Sequence, residues 1–229
     1  NNNENALSNW VDMREKYQMP LWMSEGGENS NTWFSDCIAL YEKNKIGWSW
    51  WPVKKSKINN IIKVKTDDNY RELITSWKNN TPLSADQTYE ADMQYADNHK
   101  IENSIVAQDV LYAMTEQVKT NDTKPFKKHH LDKAIWFVDY DMGRDGYAYY
   151  DIASGDYHLD DGTDWIDWNS GNYYRNDGVD ISHFNNIPYV GWTEAGEWMQ
   201  YTLHIPKADN YNVIINSSAK DAGGVLTIE

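Results

Sequence analysis

The sequence predicts a multidomain chain, parallel β/α units with a helical extension followed by an all-β sandwich, on three observations. Residues 1–52 alternate helical and strand patterns, residues 56–120 keep a mainly helical periodicity, and after Ala134 short β-type runs separated by Gly, Asp and Asn turns take over. The division expected is 1–123 for the β/α part with its helices, 124–133 for a linker, and 134–229 for the sandwich.

Asn5 to Tyr17 carries Ala6, Leu7, Trp10, Val11 and Met13 at spacings that fit one helical face. Pro20 opens a short apolar run, Leu21 to Glu25, closed by Gly26 and Gly27, which is how a buried parallel strand reads. Asn31 or Ser30 caps a helix from Thr32 to Asn44 whose apolar face holds Trp33, Phe34, Cys37, Ile38, Leu40 and Tyr41. Ile46 to Trp51 is the second strand, ended by Pro52. Beyond it, Arg71 to Lys78 is helical, Ser84 with Gln87 forms a capping box, and Val106, Val110, Met114 and Val118 recur at helical spacing. The run KPFKKHHLDK, with Pro125 and no apolar period, reads as a solvated linker rather than a metal site. The expected strands of the second half are Trp136 to Tyr140, Gly146 to Tyr150, Gly196 to Leu203, Tyr211 to Ser217 and Val225 to Ile228. The sheet pattern is still running at Glu229, so a piece of a longer protein, cut at both ends, is expected.

Composition excludes several classes. A net charge of −14, from 21 Lys plus Arg against 35 Asp plus Glu, repels a phosphate backbone, so no nucleic-acid partner is expected. No run reaches the roughly 18 apolar residues of a membrane span, and NNNENALSNW lacks the pattern of a signal peptide. The lone Cys37 sits in an apolar helical pattern as a buried thiol. Aromatics are skewed, with 12 Trp and 16 Tyr against 4 Phe; flat faces with polar edges suit sugar rings as well as large cores.

Glu25 ends a strand, where parallel β/α folds keep their reactive groups, with Trp22 before it and a flexible Gly-Gly after it. Such a carboxylate could attack an anomeric carbon; a capping or ion-paired glutamate is the plain alternative. PLWMSEGGENSNTWF followed by IGWSWWPVKK resembles the seventh and eighth strands of glycoside hydrolase family 5, retaining β-glycanases built on a TIM barrel. The resemblance runs from about Trp10 to Lys55 and less specifically through the helical extension; it implies that Glu25 is the nucleophile and Trp51 the tryptophan on which a sugar stacks. A retaining mechanism needs a second carboxyl about 5 to 5.5 Å away. Glu28 is nearest in sequence, but the family's acid follows an asparagine on an earlier strand, so Glu28 is taken as a loop residue and the acid is expected upstream of residue 1.

DYDMGRDGYAYYD, NYYRNDGVDI and YVGWTEAGEWMQYTLHIPKADNYNV, in that order, resemble a family 6 carbohydrate-binding module, a β-sandwich that binds glycans through aromatics at one edge. The match covers Ala134 to Glu229 and implies that Trp192 is the first of two faces that sandwich a sugar, the second lying past Glu229. That family's structural calcium takes glutamates where this chain has Trp136, Phe137 and Val138, which offer no hard oxygen ligand, so no cofactor or metal is expected. Trp165 and Trp168 serve either as a further sugar platform or as anchors of their own loop.

The expectation is therefore a fragment of a secreted, extracellular or cell-surface retaining β-glycanase, inactive by itself, whose partner is a polysaccharide such as β-glucan, xylan or mannan. The alternative is a non-catalytic polysaccharide-binding protein with a degenerate barrel.

Overall fold

In the computed structural model, residues 3–152, 168–219 and 223–229 are described; Trp165 lies outside them. Helix α1 (Glu4–Tyr17) starts where the Asn3 side chain accepts the Ala6 amide at 3.0 Å and stops at Gln18, which turns to φ 52°. Strand β1 (Trp22–Met23) leads into α2 (Asn31–Lys43), capped by the Ser30 hydroxyl rather than by Asn31, and β2 (Gly47–Trp48) returns parallel to β1. This is the expected parallel unit, with strands shorter than their sequence pattern. Leu7, Cys37, Tyr41 and Ile46 form its core, and Phe34 and Ile38 on the adjacent side of α2 meet α5, described below. Burying side chains of that size contributes about 1.5–3 kcal/mol each.

Short strands β3 (Lys54–Lys55) and β4 (Ile62–Lys63) run parallel; β4 later pairs antiparallel with β5 (Ile105–Val106). Between β4 and β5 stand α3 (Asp68–Lys78), capped by Asp67, and α4 (Ala85–Asn98), whose Ser84 and Gln87 complete the expected capping box. Helix α5 (Gln108–Thr115) is shorter than the spacing from Val106 to Val118 predicts, because Val106 is used as sheet and Val118 follows the helix end. It packs Val110 and Met114 against Phe34 and Ile38 of α2.

In the second half, β6 (His129–His130) pairs parallel with β11 (Leu203–His204), β7 (Tyr149–Tyr150) antiparallel with β10 (Trp198–Met199), and β8 (Ile181–Phe184) with β9 (Ile187–Val190) in a hairpin. Asn185 and Asn186, at φ 50° and 63°, make the hairpin turn; an Asn-Asn pair tolerates the left-handed region that two-residue turns require. The core gathers Val138, Tyr140, Ala148, Tyr149, Val179 and Ile181. Residues Phe137–Asp139 form a 3₁₀ turn where a strand is expected, and 211–217 and 225–228 carry neither helix nor strand. The sheets among the described residues have two or three strands each.

The segment 124–133 is not a solvated tether. Lys124 bridges to Met142, Lys127 binds Asp139 and the Tyr174 hydroxyl, and the buried His129 ring shares a 2.9 Å hydrogen bond with the Asp139 carbonyl. With apolar Phe126 set against Tyr174, the segment is part of the second half's packing.

Candidate functional site

The strand-end face is built by β1 and β2. Backbone pairing continues past both strands: Ser49 N–H donates to the Met23 carbonyl at 3.0 Å, but Trp51 N–H reaches the Gly26 carbonyl at 2.7 Å. An even parallel ladder would have used Glu25, so one extra residue is accommodated on the first strand in the manner of a bulge, a device that re-aims side chains. Trp48 and Trp50 pack inward on Phe34 and Trp33, and Gly26 lies beneath the Trp50 ring. Trp51, of opposite alternation, is 57% exposed, and Trp22 lies over Gly47. Glu25 is exposed and has no hydrogen bond or ion pair among the described residues.

Two residues after it, only glycine fits. Gly27 sits at φ 146°, and a Cβ there would collide with the Trp51 carbonyl oxygen. Glu28 takes φ 53° and pairs with Lys55, so its carboxylate is committed to the neighbouring loop.

Trp192 follows β9 at φ 50° and is 57% exposed. Trp168 is buried, and its indole N–H donates to Asn176 Oδ1 at 3.1 Å; of its two readings the anchor is the one this geometry serves. Where the resembled module carries its calcium, Val138 is buried in the core and the Phe137 carbonyl accepts the Tyr201 hydroxyl, so the residues present do not fit that ion. Among the described residues no group of three His, Cys, Asp or Glu could hold a metal, and no helix is long and apolar enough to cross a membrane.

Sequence reasoning missed the most ordered polar feature, a buried network joining the two halves. Arg175, with no exposed surface, donates from Nε and Nη2 to Asp177 Oδ2 at 3.0 and 2.6 Å, and it stacks 3.6 Å from the Tyr140 ring centroid. Burial works against its charge, but Tyr140, Asp177 and Asp109 outweigh it and hold the guanidinium above its ordinary value. Asn31, at the start of α2, donates to Asp177 Oδ1 at 2.7 Å and to Asp109 Oδ2 at 3.3 Å; Asn176 N–H donates to the same Asp109 oxygen at 2.8 Å. Asp109 Oδ1 is buried without a partner among the described residues. Nearby, Arg144 crosses to Asp36 at 2.6 Å and to the Gln117 carbonyl. The only signal in the sequence was a charged and amide-rich run, RND, between apolar residues.

The fold and site thus define a β/α segment with an open, carboxylate-bearing strand end, docked through buried polar contacts on a β-rich unit that exposes a tryptophan. No family model matches the chain, and neither curated proteins nor solved structures give a match.

Proposed function

We propose that this chain is a fragment of a secreted retaining β-glycanase, with Glu25 as nucleophile, Trp51 as the platform for the adjoining sugar, and residues 134–229 as a polysaccharide-binding unit acting through Trp192. The observation that carries the proposal is the pairing of an exposed, unpartnered Glu25 with an exposed Trp51 at the same end of two parallel strands, tied together by the bond from Trp51 N–H to the Gly26 carbonyl. Gly26 faces the Trp50 ring, and Glu25 beside it is exposed at the open end of the strand pair. Glu25 is open to a substrate, whereas the Glu28 carboxylate is already held by Lys55. The acid is assigned to the upstream part of the parent protein. Attaching a glycan binder raises the local concentration of a polymer substrate.

The test uses the parent protein, extended to its natural start, and a 2,4-dinitrophenyl 2-deoxy-2-fluoro-β-cellobioside. Its leaving group departs without an acid, so the nucleophile alone is trapped. Mass spectrometry should find the sugar on the peptide holding Glu25, and Glu25→Gln should abolish it. Labelling at another carboxylate overturns the assignment; no labelling together with retained glycan binding favours the non-catalytic binder.

A further inference from the structure

We propose that Asn176, in the β-rich half, is a positioning residue for the loop that carries Glu25; this rests on the glycanase assignment above. Three of the bonds that fix the loop from Gly26 to Ser30 reach it from other segments. Trp51 N–H holds the Gly26 carbonyl, Lys55 holds Glu28, and Asn176 Nδ2 donates to the Asn29 carbonyl at 2.9 Å. The first two anchors come from the same β/α segment, and the third comes from 147 residues away.

Asn176 is itself fully determined. Its second Nδ2 hydrogen goes to Asn31 Oδ1 at 3.0 Å, its carbonyl accepts Asn31 N–H at 3.0 Å, its own N–H is on Asp109, and its Oδ1 accepts the Trp168 indole. It has no exposed surface. Arg175 and Asp177, locked to each other on either side, leave it no freedom to follow a moving loop. With so many committed bonds a single rotamer is selected, and the Asn29 carbonyl is held where that rotamer ends. Glu25 is four residues from this anchor across a glycine pair, and glycines transmit no position unless both ends are held. The binding half therefore does more than retain polymer: it supplies part of the frame that keeps the nucleophile aimed.

Two measurements on Asn176→Ala test this. In the 229-residue chain, hydrogen exchange of the amides from Gly26 to Asn31 should quicken about tenfold or more, while those of Phe34 to Ile38 stay within about twofold of wild type. In the parent protein acting on a short soluble aryl β-glycoside, which needs no polymer binding, kcat should fall about tenfold to a hundredfold with KM within about twofold. Trp168→Phe, which removes the donor to Asn176 Oδ1 and keeps a buried aromatic ring there, should shift both in the same direction by less; it decides the matter if Asn176→Ala does not fold. Unchanged loop exchange in the folded variants overturns the proposal. So does faster exchange with unchanged kcat, which would leave Asn176 a structural residue, or a loss seen on insoluble polymer alone, which would make the binding half a tether. If the wild-type parent hydrolyses no glycoside, the glycanase assignment fails and the positioning role with it, while the exchange data still report whether the clamp exists.

Discussion

Replacing Asp177 by Ala leaves Arg175 as a buried guanidinium without its carboxylate. Asp177 accepts two hydrogen bonds from Arg175, one from the Asn31 amide and one from the Tyr140 hydroxyl at 3.4 Å. Breaking a buried pair by removing one partner costs about 3–5 kcal/mol, because the remaining ion stays desolvated. Here the lower end applies, since Asp109 still faces the cluster and Arg175 keeps its bonds to the Tyr140 and Asp141 carbonyls. About 3 kcal/mol is a large part of the roughly 5–15 kcal/mol that holds a protein folded. At a urea m-value of about 2–3 kcal/mol/M it lowers the unfolding midpoint by about 1–1.5 M. Equilibrium urea unfolding followed by tryptophan fluorescence and circular dichroism reads this directly. A midpoint shift for Asp177→Ala below about 0.3 M, the size expected of a surface substitution, would refute the network's role.

Gly27→Ala should destabilise the chain by about 1–3 kcal/mol, from an unfavourable φ and the clash with the Trp51 carbonyl, and its thermal midpoint against that of Gly26→Ala, where the space is open to 3.5 Å, checks it. Burial pushes the Cys37 thiol up to about 11 from an ordinary 9.0, so the neutral thiol is favoured by folding; that contribution is whole below pH 9 and is lost as pH rises through 11, and Ellman's reagent at pH 8 should react only after denaturant is added. Trp192→Ala should weaken binding of soluble β-glucan or xylan in affinity electrophoresis about fivefold to tenfold, the worth of one stacked aromatic face, and equal migration of variant and wild type on every retarding glycan would move the sugar site elsewhere.

Local grammar was readable from the residues. Ser84 with Gln87, the Pro20 and Gly26 borders of β1, and the apolar face of α2 each depend on neighbours within a few positions. In GWSWWP alternation alone separates Trp48 and Trp50, which pack, from Trp51, which does not. The β8–β9 hairpin is absent from the expected strands: Asn185–Asn186 marks its turn, but the strands alternate weakly because Phe184, Ile187 and Tyr189 are all exposed apolar residues. The buried network was not legible. Asn31, Asp109 and Asp177 are ordinary polar residues until distant segments meet, and Asn31 and Asp177 lie 146 positions apart. Separation in sequence likewise hid the packing of residues 124–133, whose Lys127 satisfies Asp139 and Tyr174.

The long span between Asn29 and Asn176 also sets an order of events during synthesis. A ribosome adding about 5–20 residues per second needs roughly 7–30 s to make the 147 residues that separate the two ends of that bond. By the end of this interval the helical half has been made while Asn31 and Asp109 still face water, and the late arrival of RND is what closes them in. The half-made chain therefore keeps a polar seam in water at the place where its C-terminal half will dock.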